Sequence, residues 1–84
     1  MSYTISIQRT AQKELSQLPA DMYERIRDEI RLLAENPRPI GCLKLKGRDG
    51  WRIRVGDYRV IYEIDDKEQS ILIRNVGDRK DIYR

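Results

Sequence analysis

Tyr3, Ile5 and Ile7 alternate with polar neighbours, the period of two expected of a short strand with one buried face. The spacing then changes. Ile7, Ala11, Leu15 and Leu18, followed by Met22, Ile26, Ile30 and Leu33, recur every three or four residues, which predicts two amphipathic helices punctuated by Pro19. Asp21 suits a first helical turn and has Arg25 four residues on, while Asn36-Pro37 and Pro39 end the second helix. From Leu43 onward the period returns to two. Gly47-Arg48-Asp49-Gly50, Gly56-Asp57 and Asp65-Asp66-Lys67-Glu68 separate the apolar runs, giving strands at about 42–46, 51–55, 58–64 and 70–76. The two-residue Gly56-Asp57 connection sets the register of the central pair and makes it antiparallel. The prediction is an α+β domain: an N-terminal strand, a helical hairpin, then a four-strand antiparallel β-meander, with the helices packed on one face of the sheet.

The length, 84 residues, fits a single domain over residues 1–84 with one modest core. Charged residues make up 37% of the chain, but the 39% that are hydrophobic fall in periodic blocks, which argues for folding over disorder. Histidine is absent, which removes the usual acid–base catalyst and the usual metal ligand and leaves Tyr, Lys, Asp or Glu for any proton transfer. The lone Cys42 excludes an internal disulfide and lacks a histidine partner, so it reads as a small half-buried hydrophobe. No segment has the length of a membrane span or the layout of a signal peptide, and a cytoplasmic protein is the expectation. No metal site is expected, because adjacent Asp65 and Asp66 diverge, suit a turn and have no third ligand. No phosphate-loop pattern occurs among the glycines.

Charge distribution adds more than net charge. Between residues 44 and 59 stand Lys44, Lys46, Arg48, Arg52, Arg54 and Arg59 against Asp49 and Asp57, a surplus of four in a chain whose total is +3. Strand alternation puts Trp51, Ile53 and Val55 on one face and Arg52 and Arg54 on the other, with Arg59 on the hairpin partner. Neighbouring guanidinium groups stay charged and donate paired hydrogen bonds to phosphate oxygens. The plainer reading is that a sheet covered by helices on one side must carry polar residues on the other. Tyr83, in the tail Val76-Gly77-Asp78-Arg79-Lys80-Asp81-Ile82-Tyr83-Arg84, is equally two-sided. It suits an apolar anchor with Ile82, and it also suits a phenol whose anion nearby arginines would stabilise for proton transfer.

Leu43-Lys44-Leu45-Lys46-Gly47, Trp51-Arg52-Ile53-Arg54-Val55-Gly56-Asp57-Tyr58-Arg59-Val60-Ile61-Tyr62 and Val76-Gly77-Asp78-Arg79-Lys80-Asp81-Ile82-Tyr83 together resemble the RelE toxins of bacterial and archaeal toxin–antitoxin systems. The resemblance covers nearly the whole chain. It implies an endoribonuclease that cuts mRNA in the ribosomal A site without metal or other cofactor, by attack of the RNA 2′-OH on the adjacent phosphate. The family's active-site positions fall on Arg52, Arg54, Arg59, Arg79 and Tyr83, and Lys44, Lys46, Arg48 and Arg84 become RNA or ribosome contacts. Some relatives carry lysine where this chain has Arg52 and Arg54. Arginine does not give up its proton, so their part here is electrostatic and Tyr83 is the proton-transfer candidate. The resemblance further implies a cognate RelB-like antitoxin with an acidic toxin-binding segment, contact with operator DNA only through that complex, and no membrane partner. The related ParE group, which shares the fold but binds and poisons DNA gyrase, is the alternative.

Overall fold

The computed structural model describes residues 2–78, so the expectations placed on Arg79, Tyr83 and Arg84 lie outside the described residues. Strand β1 (Thr4–Ile7) leads into helices α1 (Arg9–Ser16) and α2 (Ala20–Leu33). Strands β2 (Leu43–Lys44), β3 (Trp51–Val55), β4 (Tyr58–Asp65) and β5 (Ser70–Asp78) follow. All five strands form one sheet in the order β1-β5-β4-β3-β2. The meander strands pair antiparallel, as expected, while β1 returns to the sheet parallel to β5, with Ile5 beside Ile71 and Ile7 beside Ile73. The two helices separate β1 from the meander, and that intervening chain makes a parallel return possible where a tight turn does not.

Alternation decides what each face carries. Ile53, Val55, Val60, Tyr62, Ile71, Ile73 and Val76 are buried on one side of the sheet together with Ala11 and Leu15 of α1 and Ile26, Ile30 and Leu33 of α2. Each fully buried aliphatic side chain contributes about 1.5–3 kcal/mol of transfer free energy, so this layer holds the domain together. Tyr62 is completely buried, and its hydroxyl donates to the Pro37 carbonyl at 2.7 Å, tying the segment after α2 to the middle of the sheet. Removal from water pushes its phenol above the usual 10.0. The Val76 N–H, beyond the last residue that β1 covers, donates to Glu14 of α1 at 3.0 Å.

Three boundaries differ from the pattern. Ile7 ends β1, and Leu18 lies in the short link around Pro19, so the helical stripe extends past the helix at both ends. The expected 42–46 strand contracts to Leu43–Lys44, because positive φ at Gly41, Gly47 and Gly50 bends the chain on either side, although Leu45 N–H still reaches Gly50 O at 3.0 Å. The last strand runs on to Asp78, held by its pairing with Tyr58.

Candidate nucleic-acid interface

The face without helices is ordered by the β3–β4 register. Arg54 stands directly opposite Arg59 next to the Gly56-Asp57 turn, and Arg52 opposite Ile61 nearer the start of β3, so all three side chains rise from the same side of the sheet. Like charges placed opposite each other across a ladder are destabilising, and nothing in the core requires this arrangement. Arg54 is exposed and donates through Nε to the Gly56 carbonyl at 3.1 Å, which leans it toward the turn. Arg52 and Arg59 are half-buried. Gly77 lies beside Arg59 on β5.

This face is not uniformly polar. Ile61 is 1% exposed although no helix covers it. The chain folds back at Gly50, whose φ is +134°, and a Cβ there would meet Leu45 Cδ1 at 3.2 Å and the Tyr62 carbonyl at 3.3 Å, with Ile61 Cγ2 at 4.0 Å. Leu45 and Ile61 thus converge on a residue that must be glycine, and the turn carrying Lys46 and Arg48 is fastened beside the arginines. At the far end of β4 from the Gly56-Asp57 turn the same face carries Glu63 and Asp65, beside a hollow of about 490 Å³ that wraps round the sheet to the helix side, where Lys44, Trp51 and Asp66 also line it.

Lys44 is placed differently from the other cations. It pairs with Trp51 and stands over that ring at 5.5 Å, on the helix side of the sheet, where Arg38 lies over the same indole at 5.0 Å. Arg38 also grips Asp66 at 2.8 Å, and the Tyr3 hydroxyl donates to Asp66 at 2.7 Å. The Arg38 hydrogen bonds, followed by that of Tyr3, hold the Asp66 carboxyl below its ordinary 3.8. Asp66 therefore faces away from the arginine surface, while Asp65 accepts the Glu68 N–H at 3.0 Å within the turn. Cys42 is half-buried against the core, as is Trp51.

The sequence pattern did not single out Arg74 and Asn75. Ile61 pairs with Asn75 but Tyr62 with Ile73, so Arg74 is an extra residue in β5. The bulge puts two successive polar side chains on the arginine side. Its trace in the sequence is the interval of three between Ile73 and Val76, where an unbroken strand repeats every two.

A helix pair on one face of a mostly antiparallel sheet, with arginines gathered on the bare face, defines a small α+β protein with a cationic sheet surface. A family model described as "ParE toxin of type II toxin-antitoxin system, parDE" matches residues 5–83, and the chain belongs to this toxin family within the RelE/ParE superfamily. It is similar to the putative toxin RelE1 of Methanocaldococcus jannaschii, with 30% identity across 100% of this chain and 98% of that protein. The mRNA interferase toxin RelE of Escherichia coli is 27% identical over 99% of this chain and 92% of its own length. The toxin fold also matches a crystal structure of the archaeal RelE–RelB complex from Pyrococcus horikoshii, with TM-score 0.84, 33% identity, and coverage of 96% of this chain and 99% of that one.

Proposed function

We propose that this toxin is a metal-independent endoribonuclease that cuts mRNA in the ribosomal A site. The observation that carries the reading is the grouping of Arg52, Arg54 and Arg59 on one bare sheet face, with Arg54 and Arg59 opposed across the hairpin. The RNA 2′-oxygen bonds to the neighbouring phosphorus, the P–O5′ bond breaks, and a 2′,3′-cyclic phosphate and a free 5′-hydroxyl result. The 2′-OH proton is taken up as that bond forms and a proton is delivered to the leaving 5′-oxygen. The arginines stabilise charge on the non-bridging oxygens, where loss of one aimed donor costs about 10²–10³ in rate. Arg79 joins them in this reading, and Tyr83 transfers protons. Lys46 and Arg48, on the turn beside the arginines, meet RNA or ribosome, together with Arg84. Lys44, over Trp51 on the opposite side, suits a ribosome contact away from the scissile phosphate. The similarity to a named mRNA interferase supports the chemistry, and the similarity to a RelE–RelB complex supports a cognate antitoxin with an acidic segment.

Primer extension on mRNA translated in a purified system tests the reading. Cuts confined to A-site codons of ribosome-bound message are expected, with free message left whole. Intact ribosome-bound message in the presence of folded protein overturns it. Gyrase poisoning is the second reading, favoured by the name that the matching family model carries, and a supercoiling assay detects it directly. Tyr83→Phe separates the two in cells: it relieves growth inhibition by a nuclease and leaves a gyrase poison toxic.

A further inference from the structure

The β5 bulge supplies a cation that neither the sequence motifs nor the family comparisons assign. From its geometry we infer that Arg74 and Asn75 form a second phosphate subsite, which holds the RNA backbone beside the scissile phosphate. The inference rests on the RNA-cutting reading and extends it. Arg52 and Arg54 lie on β3, Arg59 on β4 and Arg74 on β5, all on the bare face. Strands are about 4.8 Å apart, so the cations span roughly 10 Å across the sheet, more than one phosphate occupies.

Without the extra residue, alternation along β5 would give this face one side chain where it now has two. Bulges re-aim side chains in this way and are frequent beside active sites. Arg74 is held ready without being used up. Its Nη1 reaches Glu63 Oε2 at 2.7 Å, both side chains are about a third exposed, and this is the ion pair that the structure gives Arg74 among the described residues. A guanidinium carries five donor hydrogens in a fixed plane, so one carboxylate oxygen leaves an edge for a phosphate. Asn75, half-buried beside Ile61, adds an amide donor. Glu63 occupies only one edge of Arg74, and with Asp65 beside it on β4 this end of the face carries carboxylates, so a polyanion is directed to the arginine side of the bulge.

The test measures affinity for ribosomes programmed with an mRNA whose A-site nucleotides lack the 2′-OH, so that binding is read without cleavage. Arg74→Ala is expected to weaken binding roughly tenfold. The slope of log affinity against log salt should become shallower by about 0.7, the value for one lost phosphate contact on a single strand. Arg74→Lys restores most of the salt slope but only part of the affinity. Glu63→Gln, which also breaks the ion pair, leaves binding unchanged or tighter, because it removes a negative charge from the RNA side. On cleavable message Arg74→Ala raises KM and leaves kcat within about twofold of the parent, as lost uniform binding does. Melting curves of all variants check that they are folded. An Arg74→Ala protein with parental affinity and salt slope overturns the subsite, as does equal weakening by Arg74→Ala and Glu63→Gln, which would make the pair merely a strand clamp. If the parent protein binds programmed ribosomes and loses affinity on Arg74→Ala but never cuts message, the nuclease reading fails and the subsite stands. If the parent does not bind, both fall.

Discussion

The two faces of the sheet are made by the same strands and differ residue by residue. On β3 and β4 the helix side carries Ile53, Val55, Val60 and Tyr62, all buried, while the other side carries Arg52, Arg54, Arg59 and Glu63 around one covered isoleucine. The first set is buried in the core and holds the fold. The second adds little stability, and its opposed arginines work against it. Stability and the proposed function thus fall on alternate positions of one hairpin, which makes them separable by substitution.

The sharpest way to break this division is to exchange the expected outcomes. Tyr62→Ala should remove about 3–5 kcal/mol from the folding free energy, as truncation of a fully buried aromatic does, and leave the Pro37 carbonyl without its donor. Domains of this kind have only about 5–15 kcal/mol in total, so urea unfolding should show a largely unfolded or barely stable chain. A loss under about 1 kcal/mol would contradict the picture of the helix face as the structural one.

Arg54→Ala should do the opposite. The side chain is exposed, and its removal relieves repulsion with Arg59, so the unfolding midpoint should move by no more than about 0.5 kcal/mol equivalent. Cleavage of ribosome-bound message should fall on the order of a hundredfold, if that guanidinium is aimed at the scissile phosphate. Undiminished cutting by this variant would return Arg54 to the role of a solubilising surface charge.

Gly50→Ala tests a place where the bare face has structural work. A Cβ at φ +134° is strained and would press on Leu45 and on the Tyr62 carbonyl, a backbone atom that cannot swing aside. A cost of about 1–3 kcal/mol is expected in thermal unfolding, together with faster amide exchange at Leu45, whose N–H bonds the Gly50 carbonyl.

These contrasts also explain what could be read from the sequence. The helices, the hairpin and the shared face of Arg52, Arg54 and Arg59 follow from periodicity and from Gly56-Asp57, because those signals are local. The parallel return of β1 was not legible, since Tyr3, Ile5 and Ile7 show only that a strand has one buried face and not which edge it joins. Lys44 and Lys46 look equivalent in the chain but part company in the fold: Lys44 turns to Trp51 on the helix side, and Lys46 lies in the turn past Leu45. Ile61, apolar amid arginines, needed a loop distant by ten or more residues to cover it. Arg74 was hidden by a one-residue irregularity, which shifts a side chain to the other face without altering composition. Gaps of this kind arise wherever a residue's surroundings come from distant segments.

The smallest effect lies on the helix side, at its polar margin. Asp66 accepts hydrogen bonds from Arg38 and Tyr3, and both lower its pKa from 3.8. A carboxyl whose pKa is depressed by folding contributes stability that is complete above the unfolded value and is lost as pH falls through the lower folded value. The Tm difference between the parent protein and Asp66→Asn should therefore be constant from neutral pH down to about 5, and should shrink as acid titrates the carboxylate below 3.8. The pair is solvent-exposed, so the whole effect should be small and should weaken in high salt. Arg54→Ala, lying on the other face, should leave this acid limb unaltered. If it changed the limb as Asp66→Asn does, the two faces would be electrostatically coupled through the sheet and could no longer be treated as separate devices.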